Sequence, residues 1–258
     1  MKQLFTLVLF VISGSIIAQD LDRYEKQTYL GRDGELPYRI LLPKHYNPDI
    51  AYPLVLFLHG SGERGSDNSA QLKHGGALFA SDAVRDDYPA IVVFPQCPID
   101  GYWANMEYLQ TPEGVTITYP RGNTLKMEQD LLEGLLKDLQ KNYTVDKNRI
   151  YIGGLSMGAM GTFELVRRNP RTFAAAFAIC GGANPAIAGK IDRQPWWIFH
   201  GDADQVVPIK YSQQMVDALK RIDADVQFTV YPDVGHDSWT ATFANPELLS
   251  WLFAQSKE

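Results

Sequence analysis

Gly154-Leu155-Ser156-Met157-Gly158 has the form G-x-S-x-G. Five residues match such a pattern often by chance, so the setting carries the weight. An apolar run of β character, Ile150–Ile152, comes just before it, and a helical pattern, Met157–Arg168, follows. A Ser on a sharp strand-to-helix turn projects its hydroxyl above the edge of a sheet, and so tight a turn needs small residues at both flanks. The amide of Met157 then points from a helix N-terminus toward an oxygen that gains negative charge. The chemistry this permits is nucleophilic attack on an acyl carbon. A Ser that merely capped the helix would need none of the partners that follow.

A Ser hydroxyl needs a base before it becomes a useful nucleophile. Two histidines, His200 and His236, stand downstream of Ser156. His200 lies directly after an apolar run, in Phe199-His200-Gly201-Asp202-Ala203-Asp204. His236 lies in Val234-Gly235-His236-Asp237-Ser238-Trp239, just beyond the last such run. A base needs a loop position above the sheet, so His236 is the expected base and His200 a structural histidine. The carboxylate that orients the base should come from the preceding loop, which holds Asp202 and Asp204. Asp204 is favoured. Asp202 is expected to shape the turn through nearby backbone amides, and Asp233 is a remote third option.

Leu58-His59-Gly60-Ser61-Gly62-Glu63-Arg64-Gly65 follows another apolar run. A Gly-rich turn at the end of a strand lets backbone amides converge on a developing negative charge. The Met157 amide is one expected donor of this oxyanion hole and the Ser61 amide the second, with Gly62 as the alternative. A phosphate-cradling loop would need a Lys and a Ser or Thr at P-loop spacing, and neither is present. His59 is expected to fix the loop by a hydrogen bond. Glu63 and Arg64 are expected to pair with each other or with neighbours. Trp239, Tyr102 and Trp103 are the candidate substrate-binding aromatics, suited to sugar rings or aromatic acyl groups. The plainer reading packs each of them in the core.

These residues need elements to position them. Tyr52–Leu58, Ala90–Phe94, Arg149–Ile152, Ala174–Ile179, Trp196–Phe199 and Val226–Val230 read as strands. Most are continuously apolar rather than alternating, which implies burial on both faces of a parallel sheet. Gln27–Leu30 and Leu36–Leu42 read as a hairpin around Gly31-Arg32-Asp33-Gly34. Helical patterns lie between the runs. One extends from Leu125 to Leu139, with Asn123 or Thr124 as N-cap; others cover Met157–Arg168 and Ile209–Ile222. The last opens at Asn245 and Pro246. Alternating strands and helices predict an α/β sandwich. Residues 97–123 are the least regular, rich in Pro and Gly, with Val115–Tyr119 as a short strand. They read as a loop excursion over the site. Residues 19–258 show no repeat or linker and read as one domain.

The chain has 258 residues, 45% hydrophobic and 21% charged, an ordinary globular composition. A formal charge of −6 without basic runs argues against nucleic acid and against anionic lipid as partners. His and acidic residues do not cluster at ligand spacing, so neither a metal nor another cofactor is expected. Residues 1–18 combine Lys2, an apolar run from Leu4 to Ile17, and Ala18. That is the pattern of a secretory signal peptide, and the run is too short to span a bilayer. A secreted or periplasmic mature protein without a membrane span is expected.

The hairpin, the HGSGERG loop, the GLSMG turn, the HGDADQVVP loop and the VGHDSW segment come in an order that resembles the α/β-hydrolase superfamily. So does the chain order Ser156, Asp204, His236, which was not used to choose those residues. The nearest resemblance is to secreted bacterial esterases similar to feruloyl and acetylxylan esterases and polyhydroxybutyrate-depolymerase-like proteins. These lie near the prolyl-oligopeptidase-like and phospholipase/carboxylesterase branches. The resemblance implies a three-layer fold, with helices on both faces of an eight-stranded, mostly parallel sheet ordered 1-2-4-3-5-6-7-8. It implies a Ser156–His236–Asp204 triad. In that order Cys97, after the fourth strand, and Cys180, ending the sixth, are three positions apart, on the order of 14 Å. A disulfide needs Cα atoms within about 7 Å, so both cysteines are expected to be unpaired. Three departures stand out. A chain this short has no room for the β-propeller of oligopeptidases or for a large lipase lid, and Ser replaces the Cys of dienelactone hydrolases.

The expected activity is that of a secreted serine carboxylesterase acting through an acyl-enzyme on Ser156. Its partner would be a carbohydrate ester or another small-molecule ester, aromatic or short-chain. The alternatives are a small serine peptidase, an acyltransferase using the same triad, and a non-catalytic binding module. The intact Ser, Asp and His argue against the last.

Overall fold

A computed structural model describes residues 21–112, 114–120 and 127–257. The expected signal peptide and the expected caps Asn123 and Thr124 lie outside the described residues. In chain order the strands are β1 (Glu25–Leu30), β2 (Glu35–Leu41), β3 (Tyr52–Leu58), β4 (Ile91–Pro95), β5 (Glu107–Thr111), β6 (Gly114–Thr118), β7 (Val145–Leu155), β8 (Ala175–Ile179), β9 (Trp196–Gly201) and β10 (Val226–Tyr231). Eight of them form one sheet in the order β1-β2-β4-β3-β7-β8-β9-β10, and β5 and β6 form a separate hairpin. With that hairpin set aside, the order is the one expected. β1, β2 and β4 pair antiparallel, and the remaining pairings of the eight-stranded sheet are parallel.

Helices cover both faces, which gives the three-layer α/β-hydrolase fold. They are α1 (Gly76–Ala80), α2 (Asp82–Asp87), α3 (Met127–Asn142), α4 (Met157–Arg168), α5 (Lys210–Lys220), α6 (Trp239–Phe243) and α7 (Glu247–Ala254). The sheet's period of two divides the core. Leu54, Leu56, Ile150 and Ile152 pack with Leu132 and Leu135 of α3, Phe163 of α4 and Met215 of α5. Their neighbours Val55, Phe57 and Tyr151 face the other way, toward Phe79 of α1 and Leu248 and Leu252 of α7. Every residue of β3 is buried, as a continuous apolar run between two helical layers requires. Cys97 and Cys180 are both buried and are not joined to each other. Among the described residues no helix is long and apolar enough to cross a membrane.

The differences from expectation have physical causes. α1 and α2 are a turn or so long, too short to show a helical period. β5 pairs only with β6 and is largely exposed, so its residues carry no alternation. β7 starts at Val145, ahead of the apolar run, because Asp146, Lys147 and Asn148 continue the extended backbone without an apolar face. Pro246 holds the cap position of α7, and Asn245, just before it, accepts the Glu247 amide at 3.0 Å.

α4 meets the sheet at very close range. A Cβ at Gly158 would lie 1.9 Å from the Leu58 carbonyl oxygen, and one at Gly154 2.4 Å from the Gly158 carbonyl oxygen. Both glycines of the pentapeptide are therefore required by packing. Gly158→Ala should push α4 off β3 and lower stability by at least about 2 kcal/mol, an overpacking cost. Urea unfolding measures it; an unchanged midpoint and slope would refute the close approach.

Candidate active site

Ser156 sits between β7 and α4 with φ 53° and ψ −117°. A non-glycine residue there is strained, and the strain turns its side chain out of the strand. The turn is held from both sides. The Ser156 amide donates to the Ile179 carbonyl at 2.8 Å, and the Met160 amide donates to the Ser156 carbonyl at 3.1 Å. Ser156 Oγ lies 3.0 Å from His236 Nε2, and His236 Nδ1 lies 2.7 Å from Asp204 Oδ2. The structure thus brings Ser156, His236 and Asp204 into one hydrogen-bonded line. With the hydroxyl donating to Nε2 and Nδ1–H donating to the carboxylate, the line can move a proton from Ser156 to His236.

Asp204 is buried, and burial alone would raise its pKa. Hydrogen bonds from His200, His236 and the Val207 amide outweigh that and hold the carboxyl well below the usual range. Its Oδ1 accepts the Val206 and Val207 amides at 2.8 and 2.9 Å. Asp202 plays the part expected of a turn residue, since its carboxylate accepts the Asp233 amide at 2.7 Å. The Ala203 amide donates to the Val234 carbonyl at 3.0 Å, which ties the Asp204 loop to the His236 loop.

The Gly-rich loop stands beside the elbow. A Cβ at Gly60 would lie 2.8 Å from Leu155 Cδ1. Ser61 and Gly62 are exposed in a short 3₁₀ turn, Ser61–Glu63. Met157 opens α4, where the first amides have no partner inside the helix. His59 anchors the loop as expected. Its Nδ1–H donates to the Gly60 carbonyl at 2.6 Å, and its Nε2 accepts the Cys97 amide at 2.9 Å. Gln96 adds a second anchor, donating to the Glu63 carbonyl and to Asp67 and accepting the Asn68 amide.

The aromatic candidates separate. Trp239 is half-buried, 5.4 Å from the His236 ring and 5.0 Å from the His74 ring. Tyr102 is half-buried with the Arg64 guanidinium 4.7 Å from its ring centre. Trp103 needs correction, because it is fully buried and cannot meet a substrate. Its indole N–H donates to the His59 carbonyl at 3.2 Å, so it supports the Gly-rich loop from below. The sequence reading also missed contacts that only folding creates. Glu63 is buried against His74 at 3.5 Å, and His200 reaches Asp204 at 3.2 Å. The spacing of His200 and Asp204, four residues apart on one turn, was the available signal for the second. Cys180, Asp204 and His236 have ligand-type atoms within 4.8 Å of one another. A metal there would have to break the Asp204–His236 bond.

A family model described as phospholipase/carboxylesterase matches residues 47–246. The chain belongs to the phospholipase/carboxylesterase family. Its sheet order and helical layers are those of the α/β-hydrolase fold. A bifunctional acetylxylan esterase/xylanase of Neocallimastix patriciarum is 33% identical over 110 residues, 39% of this chain and 16% of that protein. Lysophospholipase-like protein 1 of Mus musculus is 25% identical over 200 residues, 71% of this chain and 79% of that one. The crystal structure of a thermostable esterase is similar at 35% identity and a TM-score of 0.83, over 93% of this chain and 64% of that one. The chain thus spans less than two thirds of the fungal relative and of the esterase structure.

Burial holds His59 at about 4 against an ordinary 6.5, despite the opposing pull of the Gly60 carbonyl and the Glu63 charge. The native ring stays neutral where the unfolded one takes a proton. Its contribution to stability is therefore full above pH 6.5 and is lost as pH falls toward 4. The loss through this one ring is on the order of 3 kcal/mol. Urea unfolding at a series of pH values should show it in this carboxylesterase-family chain and show it reduced in His59→Gln. Equal pH slopes in the two proteins would contradict the assignment.

Proposed function

We propose that the chain is an exported serine esterase that cleaves carboxylic esters through an acyl-enzyme on Ser156. The observation that carries this reading is the line Ser156 Oγ–His236 Nε2, His236 Nδ1–Asp204 Oδ2, at 3.0 and 2.7 Å. His236 takes the Ser156 proton as Oγ attacks the acyl carbon. The amides of Met157 and Ser61 receive the oxyanion, with Gly62 as the alternative to Ser61. His236 then gives the proton to the leaving alcohol, and water repeats the sequence to release the acid. Asp204 holds the imidazole orientation and stabilises the imidazolium.

Carbohydrate esters or small aromatic or short-chain esters are the proposed substrates. Support comes from the half-exposed rings of Trp239 and Tyr102 near the Ser156 line and the Gly-rich loop. The acetylxylan esterase/xylanase among the relatives points the same way. The charged, apolar and small-residue order of residues 1–18 supports export.

The test is hydrolysis of p-nitrophenyl acetate, butyrate and octanoate, methyl ferulate and acetylated xylan by residues 19–258. Ser156→Ala should lower kcat by about 10⁴-fold or more, and Asp204→Asn by about 10³–10⁴-fold. A fluorophosphonate probe should label the wild type and not Ser156→Ala. Undiminished turnover or labelling in Ser156→Ala would refute the serine mechanism.

A further inference from the structure

Asp204 faces two imidazoles. Besides His236 Nδ1 at 2.7 Å, its Oδ2 lies 3.2 Å from His200 Nε2. His200 is fully buried near the end of β9 and has no part in the proton path above. Its neighbours decide where its protons are. Nε2 faces the Val207 carbonyl at 2.8 Å and the Asp204 carboxylate, and both can only accept. Nδ1 lies 2.7 Å from Ser212 Oγ, and Ser212 donates its own single proton to the Gly181 carbonyl at 2.5 Å. Ser212 Oγ therefore offers Nδ1 only a lone pair. Both ring nitrogens are left as donors, so the ring holds two protons. A buried cation requires a counter-charge, and Asp204 is the carboxylate in reach.

We propose that His200 is a positioning residue for Ser156 and His236, acting through Asp204. It fixes the carboxylate from behind and draws off part of the negative charge that Asp204 presents to His236. The effect on rate rests on the serine-esterase reading; the proton inventory of the ring does not. The geometry gives the positioning. Val206 and Val207 amides hold Oδ1, and His200 Nε2–H binds both the Val207 carbonyl and Oδ2. The carboxylate plane is thereby set with Oδ2 toward His236. The charged and titratable groups around the pair come from three other places. His236 and Asp237 lie on the loop after β10, and the Cys180 thiol at the end of β8 is pushed up by burial and by Asp204. From α5, Ser212 supplies the hydroxyl, while the neighbouring Tyr211 hydroxyl is turned to the Ile117 amide at 2.6 Å.

Charge sharing has a readable sign. Without the His200 proton on its far side, Asp204 stabilises protonated His236 more strongly, and the acid limb of kcat/KM moves to higher pH. Two measurements test the proposal. In ¹⁵N-histidine-labelled wild type and Ser156→Ala, without substrate, both His200 ring nitrogens should carry a proton. The His200 signals are assigned by their loss in His200→Gln. In His200→Gln, which keeps an N–H but no charge, the acid limb for p-nitrophenyl acetate should rise by about 0.5–1 unit. Its kcat should fall about 3–10-fold at unchanged KM. Ser212→Ala, which leaves Asp204 and the ring in place, should move the limb the same way by less, and it serves if the Gln variant does not fold. An unprotonated ring nitrogen on His200 would overturn the proposal, as would an unmoved acid limb with rate loss matching the unfolded fraction. An undiminished Ser156→Ala would remove the catalytic line itself. The ring-nitrogen signals tell that failure from a failure of this proposal.

Discussion

The first turn of α4 lies so close to the end of β3 that one methyl group at Gly158 would meet the Leu58 carbonyl oxygen at 1.9 Å. That approach decides where Ser156 stands, because the turn from β7 has no room to relax toward the sheet. Ser156 keeps a backbone conformation that costs on the order of 1–3 kcal/mol. The neighbouring strand ends the same way. Cys180, which follows β8, has φ 45°, and the Ser156 amide is bonded to the residue before it, Ile179. Two adjacent strands thus end in strained residues braced against each other. The strain is offset by the hydrogen bonds that hold the turn from both sides and by the two apolar layers that keep the strands in place.

A second constraint is the buried carboxylate of Asp204. Four donors surround it, two backbone amides and two imidazoles. All of them come from the loop that carries it, from β9 just before that loop, or from the loop after β10. Because β9 and β10 run parallel, both loops leave the sheet at the same edge as the Ser156 turn. The topology therefore brings Asp204 and His236 to Ser156 across 80 residues of sequence, and the Asp202 to Asp233 bond sets their spacing. Moving the Asp204 loop would move His236 with it.

Residues whose position follows from strand order were legible in the sequence. Each of Ser156, Asp204 and His236 comes just after an apolar run, and strand-end loops in a parallel sheet share an edge. Runs such as Tyr52–Leu58 announce burial on two faces of a parallel sheet, while the strand order followed from the resemblance to α/β-hydrolases. What could not be read was side-chain depth. Trp103 and Tyr102 are neighbours in a loop of similar composition, yet Trp103 is buried under the Gly-rich turn and Tyr102 is half-exposed beside Arg64. Residue type does not encode that difference; it arises because Gly161 of α4 leaves a space that the Trp103 side chain fills. The burial of Glu63 against His74 is of the same kind, produced by the short 3₁₀ turns Ser61–Glu63 and Ala70–Leu72, which show no period.

Three histidines near this edge of the sheet differ only in what their nitrogens face. His59 has an amide on one side and a carbonyl on the other, so it accepts once and donates once, and burial keeps it neutral. His236 faces a hydroxyl and a carboxylate, an arrangement that leaves Nε2 free to take the hydroxyl's proton. His200 faces a carbonyl, a carboxylate and a hydroxyl that is itself bonded to the Gly181 carbonyl, the arrangement on which its proposed double donation rests. The same side chain thus stands as a loop anchor, as the proposed base and as the proposed partner of a buried carboxylate. For His59 and His200 much of the sorting is done by peptide groups just after β3 and β4 and in the loop after β9, which the fold places before any substrate arrives. That is why the Val207 and Cys97 peptide groups belong to the chemistry of this site as much as the side chains do.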